Sequence, residues 1–232
     1  QARKAVVLLS GGLDSSVTAA WARREGFEIH ALTIHYGQRH ACEVDRAYGV
    51  ARLLGAAEHR VVRLDPSIFL GSALVGGSSV PQDRSDEAMA REIPATYVPA
   101  RNTVFLALAL AYAEGIGAFD VFIGANAVDY SGYPDCRPEY IRAFTALANL
   151  ATKAAITGAG RFEIHAPLMA MTKAQIVALA GELGVDPART WSCYQPLPSG
   201  RPCGRCDSCL IRRRAFAQLG RTDPLAAGPS AD

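Results

Sequence analysis

The stretch VVLLSGGLDSS, residues Val6–Ser16, decides how this chain folds. Its apolar beginning is typical of a short buried strand, and the residues after the glycine pair, up to Ala20 and Trp21, follow a helical pattern. The segment between them is therefore predicted to be a strand-to-helix turn. Two glycines let the backbone approach a ligand closely, and the first amides of a helix attract an anion. The stretch predicts a phosphate site, although an ordinary tight turn would have a similar composition.

Composition limits the classes of protein to consider. The chain has 232 residues, of which 50% are hydrophobic, and a formal net charge of only +2. It can bury the core of one main domain, and its charge gives no broad basic surface for nucleic acid. The longest apolar run, Val104 to Ala113, has ten residues, and a membrane-spanning helix needs about 20. The N-terminus, Gln1 to Lys4, lacks the apolar core of a secretory signal. We therefore expect a cytoplasmic protein with neither direct nucleic-acid nor membrane partners.

Apolar segments with strand character alternate with helical patterns along the chain. The predicted strands are Ala5–Leu9, Ile29–Ile34, Arg60–Leu64 and Val121–Ile123. The predicted helices comprise a buried one over Asn102–Glu114 and three with apolar faces made by Val44, Tyr48, Ala51 and Leu54, by Ile141, Phe144, Leu147 and Ala151, and by Ile176, Leu179, Ala180 and Leu183. Such alternation is typical of an α/β fold with a doubly wound parallel sheet.

Two segments have the composition of loops. Residues 71–101 are rich in Gly, Ser, Pro and charge, which predicts a long mobile loop such as a lid, a binding element or a disordered insertion. Residues 124–137 are polar and aromatic and follow a predicted strand. Because ligands of open α/β sheets bind at the carboxyl ends of strands, the second segment is expected to contact a ligand.

Four cysteines, Cys193, Cys203, Cys206 and Cys209, have the spacing C-x9-C-x2-C-x2-C. Two CxxC turns and a fourth thiolate can complete a tetrahedron around zinc, which leaves no position for a catalytic water. The sequence therefore predicts a structural Zn²⁺ site, with an iron–sulfur cluster as the main alternative. Cys42 and Cys136 lie outside this cluster, and neither is assigned a covalent role.

The residues Ser10–Ser15 match the SGGxDS signature of the PP-loop, or N-type, ATP pyrophosphatases, and the lysine of a Walker P-loop is absent. Within that class the chain resembles the 7-cyano-7-deazaguanine synthases of the queuosine pathway, from Ala5 to about Leu219. The stretches that carry this resemblance are Tyr36–His40, Val98–Asn102, Asp129–Arg137, Pro167–Met169 with Lys173, and the four cysteines.

The resemblance implies a sheet of the PP-loop (adenine nucleotide α-hydrolase-like) type with a small C-terminal zinc-binding region. On this basis we predict an ATP-binding and catalytic domain over residues 1–187, a four-cysteine zinc-binding region with a C-terminal helix over residues 188–220, and a flexible tail over residues 221–232. It also suggests a homodimer.

The resemblance further implies conversion of 7-carboxy-7-deazaguanine to a nitrile with ammonia and ATP. An unactivated carboxylate has a poor leaving group, so ATP would first form an acyl adenylate, ammonia would give the amide, and a second activation would permit dehydration. A grip on the terminal phosphates favours release of AMP. Activation through an acyl phosphate, with release of ADP, stays open from the sequence alone.

Individual roles are assigned by the same resemblance. The nucleotide-binding residues are expected to be Leu9, Ser10, Gly11, Gly12, Leu13, Asp14, Ser15, Ser16, Thr33, Ile34 and Gly124. Catalytic roles are expected for Lys173, Arg101 and Asp14, and Asp14 would be a Mg²⁺ ligand or, alternatively, only a helix N-cap. The deazaguanine is expected to meet Tyr36, Gln38, Asn126, Asp129, Tyr130, Tyr133, Asp135 and Arg137.

Two other functions compete with this interpretation. Another PP-loop ATP-dependent ligase or a tRNA-modifying enzyme would share the first loop, but a thiolase of that class would need cysteines that are not committed to metal. A zinc-stabilised nucleic-acid-binding module, using Arg212–Arg214, would leave Ser10–Ser16 without a purpose.

Overall fold

The computed structural model describes residues 2–37, 42–75, 79–91, 93–128 and 133–226. The strands are β1 Lys4–Leu8, β2 Glu28–His35, β3 Glu58–Arg63, β4 Asp120–Phe122 and β5 Glu163–His165. The helices are α1 Leu13–Arg24, α2 Cys42–Leu53, α3 Asp86–Arg91, α4 Arg101–Ile116, α5 Pro138–Ala151, α6 Lys153–Ile156, α7 Lys173–Glu182 and α8 Asp207–Gln218.

The five strands form one parallel sheet in the order β3-β2-β1-β4-β5. The chain builds the sheet from β1 outward to β3, returns, and continues on the other side of β1 with β4 and β5. This reversal leaves a crevice at the carboxyl ends of β1 and β4, where open α/β sheets bind their ligands. The predicted doubly wound α/β fold is confirmed, and four of its strands were predicted to within about two residues of their ends, a usual error for boundaries.

Both faces of the sheet are covered by helices, and β1 is buried throughout its apolar run. Ala5 and Val7 pack with α1 and α2 on one face, whereas Val6 and Leu8 pack with α4 and α5 on the other. A parallel strand between two helical layers has no solvent face, so its side chains do not alternate between polar and apolar. This explains the continuous apolar stretch with which the chain begins.

The helix faces differ in part from those expected. In α2 the buried positions are Ala47, Val50 and Ala51, and Tyr48 is 52% exposed. In α5 the buried residues are Ile141, Phe144 and Ala148, while Leu147, expected on the packed face, is 51% exposed and Ala151 is also exposed. The predicted face of α7 was correct at Ile176, Leu179 and Ala180, which are buried against α1 and α8.

The expectation of a mobile loop over residues 71–101 is wrong for the part of it that the structure describes. Its buried residues include Ser72, Ala73, Leu74, Val80, Thr96 and Val98. Gln82 forms an antiparallel bridge with Cys206, and the amide of Asp83 donates to the carbonyl of Arg205 over 2.9 Å. The segment is therefore packed against the cysteine-rich region.

The C-terminal region is joined to the main core. Helices α1, α7 and α8 share one apolar cluster, which includes Val17, Ile176 and Phe216. Beyond α8, the buried carboxylate of Asp223 accepts a hydrogen bond from Arg212 Nε over 2.9 Å, so this part of the expected tail is packed. None of the helices among the described residues is long and apolar enough to span a membrane.

Candidate active site

The segment of residues 9–16, called here the β1–α1 loop, comprises the connection after β1 and the first turn of α1; it lies at the crevice and is shaped by glycine. Gly11 has φ +81°, and a Cβ there would lie 2.5 Å from the carbonyl oxygen of Glu43 and 2.7 Å from the amide of Ala47. Only glycine fits this position, because the conformation is left-handed and the backbone of α2 is in contact with it. The carbonyl of Gly11 also accepts a hydrogen bond from the Trp191 amide over 2.9 Å.

Serine hydroxyls hold this loop in shape. Ser15 Oγ accepts from the Ser10 amide over 3.1 Å, and both Ser15 Oγ and Ser16 Oγ donate to the carbonyl of Gly12. Gly12 is the N-cap of α1 and makes no side-chain cap, while the amide of Ser16 closes the first helical turn onto Gly12. The amides of the first turn before Ser16 have no acceptor within the helix, so they are available to an anion.

Asp14 and Lys173 form an ion pair beside this loop. Lys173 Nζ lies 2.8 and 2.7 Å from the two carboxylate oxygens of Asp14, and Lys173 is 8% exposed. Lys173 is the first residue of α7, whose N-terminus is fixed by a capping box between Thr172 and Gln175. Because Gly12 is the N-cap of α1, the alternative role of Asp14 as a cap is wrong.

The loop forms one end of a cavity of about 240 Å³. Gly124, at the end of β4, lies directly against the first turn of α1, where a Cβ would come within 3.0 Å of the Ser15 amide. Most of the expected site residues that the structure describes line this cavity: Leu9, Ser10, Gly12, Leu13, Asp14, Ser15, Ile34, Tyr36, Arg101, Gly124, Asn126, Tyr133 and Lys173.

Other expected residues lie elsewhere. The Thr33 hydroxyl donates a hydrogen bond to the carbonyl of Leu9 and is also hydrogen-bonded to His59 Nε2. A carboxylate oxygen of Asp135 accepts a hydrogen bond from the amide of Asn102 over 3.0 Å at the start of α4. Neither of these side chains lines the cavity, and the same holds for Gly11, Ser16 and the exposed Arg137. Three further expected residues, Gln38, Asp129 and Tyr130, lie outside the described residues.

Asn126 lines the cavity, but its amide group is used by the protein. Nδ2 donates to the carbonyls of Leu168 and Met171, and Oδ1 accepts the amide of Val128 over 3.0 Å. These bonds tie the end of β4 to the loop that leads into α7. The amide hydrogens of Asn126 are therefore engaged by the protein.

The other end of the cavity is aromatic and contains Arg101. The ring of Tyr36 lies 5.4 Å from that of Phe105, and the Arg101 guanidinium is 6.0 Å from Phe105 and hydrogen-bonded to Tyr36. Burial raises the pKa of Tyr36 and also that of Tyr133, in each case against the opposing charge of Arg101. Burial also acts to lower the pKa of Arg101, but its interactions with the two tyrosines outweigh it, so the pKa is raised and the guanidinium is charged.

Several cavity residues were not anticipated from the sequence. They are contributed mainly by the segment around Cys193 and by α4 and α8: Trp191, Ser192, Tyr194, Asn102, Phe105, Cys136, Ser208 and Arg212. Aromatic residues on both sides of Cys193 were the available signal. Arg212 is 2% exposed and bonded to Asp223, Thr190 and Pro187, so it cannot serve as the surface nucleic-acid contact considered above.

The four cysteines lie together as predicted. The sulfur atoms of Cys193, Cys203, Cys206 and Cys209 are all within 4.8 Å of one another, and four sulfurs at ~2.3 Å from one zinc would be about 3.8 Å apart. Amides donate to the sulfurs, as from Cys203 to Cys193 over 3.2 Å and from Tyr194 to Cys206 over 3.5 Å. Such donors suit thiolates, so the residues fit a metal held entirely by protein.

A parallel sheet with a glycine-shaped loop at its switch point, an ion pair at the helix N-terminus and an adjoining cavity together define an ATP-dependent enzyme of the PP-loop class. The NMN synthetase from Francisella tularensis has the same kind of fold, with a TM-score of 0.50 over 95% of this chain and 79% of that one. Its sequence is 19% identical, so the likeness concerns the fold alone.

Residues 4–220 match the family model of the queuosine biosynthesis protein QueC, and the chain belongs to this family. Relatives from Desulfatibacillum aliphaticivorans and Geotalea daltonii are each 57% identical to it. The alignments cover 97% and 96% of this chain, and 96% of each relative. Both relatives are named 7-cyano-7-deazaguanine synthase, and the resemblance seen in the sequence is confirmed.

Proposed function

We propose that this chain converts 7-carboxy-7-deazaguanine, ammonia and ATP to 7-cyano-7-deazaguanine. Its family and the names of its relatives support this function. The structural observation that carries the proposal is a single cavity with two different ends. One end is made of helix-turn amides, Asp14 and Lys173, and suits phosphates; the other is made of aromatic rings around Arg101 and suits a flat, charged heterocycle.

The first half of the reaction makes an amide. An oxygen of the substrate carboxylate bonds to the α-phosphorus of ATP as the bond to pyrophosphate breaks. Ammonia then adds to the acyl carbon, AMP leaves with the former carboxylate oxygen, and one proton is released. The β1–α1 loop supports this route because donors that hold the terminal phosphates stabilise the charge of the departing pyrophosphate.

The second half removes the remaining oxygen. The amide oxygen bonds to the α-phosphorus of a second ATP, and pyrophosphate leaves again. The nitrogen loses its protons while the C–O bond breaks and AMP departs, which leaves the C≡N group. The route thus uses two ATP molecules for each nitrile and forms two AMP, whereas activation through acyl phosphate would form ADP.

Magnesium fits the phosphate end because carboxylate oxygens are the protein ligands it prefers. Asp14 offers two such oxygens at the cavity wall, and both accept hydrogen bonds from Lys173. We therefore propose that Lys173 transfers its hydrogen bonds to the phosphates when Mg²⁺ and ATP are bound. The metal would neutralise charge on the terminal phosphates.

The cysteine cluster is proposed to hold structural zinc, because all four positions around the ion would be filled by protein. Cysteines used for metal binding and not for disulfides suit a reducing compartment, which supports a cytoplasmic location. A homodimer is proposed from the family resemblance alone.

The test incubates the full chain with ATP, Mg²⁺, ammonium and 7-carboxy-7-deazaguanine, and follows the nitrile by mass and the nucleotide by chromatography. We expect nitrile with AMP, and Lys173→Met should lower the rate by about 10²- to 10³-fold, as for loss of one donor to developing charge. The exposed Lys153→Met is the matched control and should be neutral. Absence of nitrile, or full activity of Lys173→Met, would contradict the proposal. Formation of ADP in place of AMP would show that activation proceeds through an acyl phosphate and not through an adenylate.

A further inference from the structure

Within the described part of the chain, Arg101 is a partly buried cation whose charge has no carboxylate beside it. It lies at the start of α4 and lines the cavity, its guanidinium interacts with Tyr36 and Phe105, and Tyr133 and Cys136 are close enough to influence its charge. None of the carboxylates that the structure describes lies within the 4.0 Å of an ion pair with its guanidinium. Taking a charge out of water without a partner is costly, so such an arrangement points to a ligand that supplies the opposite charge.

Three other cations with little exposure form ion pairs with carboxylates. Lys173 contacts Asp14, Arg212 contacts Asp223 and Arg84 contacts Asp207, at distances between 2.7 and 3.0 Å. These three pairs hold packed elements together. Arg101 differs from these three because its guanidinium interacts with aromatic side chains, and no described carboxylate, including the Glu43 carboxylate in the same cavity, lies within ion-pair distance of it.

The backbone before Arg101 also favours a defined position for its side chain. Ala100 has φ +51°, a left-handed conformation that is uncommon for a residue other than glycine, and its amide donates to the Tyr97 hydroxyl over 3.1 Å. Strained residues of this kind are enriched at binding sites, where neighbouring contacts hold them. With the Tyr36 hydrogen bond, this geometry directs the guanidinium toward the aromatic end of the cavity.

If the proposed function holds, the cavity must bind two anionic groups, the phosphates of ATP and the carboxylate of the acid substrate. The phosphate end has its own donors in the β1–α1 loop and Lys173, whereas Tyr36 and Phe105, with which Arg101 interacts, lie outside that loop. Its aromatic neighbours instead surround the place where a flat ring would stack. A carboxylate attached to that ring could meet the planar fork of the guanidinium with two parallel hydrogen bonds.

We propose that Arg101 recognises the carboxylate of the acid substrate and is the residue that selects acid over amide in the first half of the reaction. This inference rests on the proposed function. The amide intermediate carries no charge and offers the guanidinium one oxygen in place of two. Loss of Arg101 therefore impairs the use of the acid far more than the use of the amide.

The experiment compares two starting substrates in the same enzyme. Wild type, Arg101→Gln, Arg101→Lys and the exposed-surface control Arg142→Gln are assayed for kcat/KM with 7-carboxy-7-deazaguanine and, separately, with the corresponding 7-carboxamide. For Arg101→Gln we expect about a 10²-fold or larger loss with the acid, as for a buried charge pair that loses one partner. With the amide we expect about a 3- to 10-fold loss, the worth of one neutral hydrogen bond.

Arg101→Lys keeps the charge but lacks the fork, so it should show an intermediate loss that is confined to the acid. Titration calorimetry with the acid, the amide and ATP added singly provides a second readout for any variant that is folded but inactive. The affinity for ATP should not change in either variant.

Equal losses with acid and amide, or a weakened affinity for ATP, would overturn the inference and assign Arg101 to the nucleotide. If Arg101→Gln unfolds by circular dichroism, the acid-to-amide ratio of Arg101→Lys decides, and an unchanged ratio contradicts the proposal. A wild-type enzyme that makes no nitrile from either substrate would refute the proposed function itself. If the wild type is active but the Arg101 variants lose activity equally with both substrates, only the inference about Arg101 fails.

Discussion

The two ends of the cavity are built in different ways. The phosphate end is made mainly from one contiguous stretch, Ser10–Ser16, and its donors are backbone amides held in place by glycine and by serine hydroxyls. The aromatic end is assembled from side chains of separate segments: Tyr36 after β2, Arg101 at the start of α4, Tyr133 before α5 and Tyr194 beside the cysteine cluster. The first end depends on local conformation and the second on tertiary packing.

The two ends should therefore be sensitive to different kinds of change. A backbone site is destroyed by one side chain added at the wrong position, because its geometry is set by φ and by close contacts. A site made of side chains from distant segments loses affinity when the elements that carry them shift apart. Changes that act on one end, on the other, or on neither should therefore have separable effects.

The largest effect is expected from removal of the proposed structural zinc. Zinc ligation contributes about 10 kcal/mol or more in small metal-dependent domains, so chelation should lower Tm by about 10 °C or more. Trp191 is 4% exposed and its Nε1 donates to the carbonyl of Cys193 over 3.0 Å, so its fluorescence should shift to the red. The affinity for the acid should fall more than the affinity for ATP, because Tyr194 and Ser192 belong to the cavity wall.

A Trp21→Phe background isolates the Trp191 signal, since these are the two tryptophans of the chain. ATP affinity should fall only by about 5-fold, the value of the single hydrogen bond from Trp191 to Gly11. Unchanged melting and fluorescence in protein shown by metal analysis to be zinc-free would refute a structural role of the metal.

The next effect in size concerns Gly11→Ala, which acts on the phosphate end. The added Cβ would lie 2.5 Å from the carbonyl oxygen of Glu43, so the loop must move. We expect ATP affinity and turnover to fall by about 10²-fold, as for loss of donors to transition-state charge, with little change in binding of the acid alone. Gly55→Ala is the matched control, because Gly55 also has positive φ but no heavy atom within 4 Å of the added Cβ. Similar turnover in the two variants would show that crowding at Gly11 is irrelevant.

The smallest effect is expected from Asp120→Asn, at the amino ends of the strands and thus on the side of the sheet away from the cavity. Burial acts to raise the pKa of Asp120, but hydrogen bonds from His165 and Arg3 outweigh it, and the pKa is lowered. A carboxyl with a native pKa below its unfolded value, about 3.9, stabilises the fold above that value and loses the contribution as pH falls through the native pKa. The wild type should therefore melt a few degrees above the variant near neutral pH, and the gap should close as pH falls toward about 3.

Turnover of Asp120→Asn at neutral pH should equal that of wild type, because Asp120 begins β4 and the cavity lies beyond its other end. Thermal scans from neutral to acidic pH, followed by circular dichroism, provide the measurement. A melting difference that stays constant over this range would rule out the ion pair as its source.

Much of the fold could be predicted because buried parallel strands leave continuous apolar runs. Four strands were identified from such runs, but β5, with the sequence Glu-Ile-His, contains a single apolar residue and therefore no run. The strand order could not be obtained either, because the pairing of Ala5 with Asp120 joins residues that are far apart in the chain. Segment 71–101 was misjudged because its Gly, Ser and Pro content resembles a loop, whereas Leu74, Val80 and Val98 are buried next to the cysteine cluster.

The phosphate end of the site could be predicted for the same reason that it is simple: its parts are adjacent in sequence. Asp14, Lys173 and Arg101 were named as catalytic candidates only through family resemblance, and the pairing of Asp14 with Lys173 was not predicted, since no local pattern brings these residues together. Asn126 was expected to bind substrate because it is polar. The sequence does not show that its side-chain amide is already hydrogen-bonded to backbone carbonyls. Trp191 was missed because its contribution depends on packing beside Gly11.

The division of the cavity also has a kinetic consequence. An enzyme that activates the same carbon twice must release AMP and pyrophosphate and bind a new ATP between the two activations. Because the two ends are built independently, the nucleotide can be exchanged at one end while the amide intermediate stays at the other. The half-finished product then escapes only if its residence time at the aromatic end is shorter than the time of nucleotide exchange at the β1–α1 loop. The ratio of these two times sets how processive the enzyme is, and thus how much amide reaches the surrounding solution.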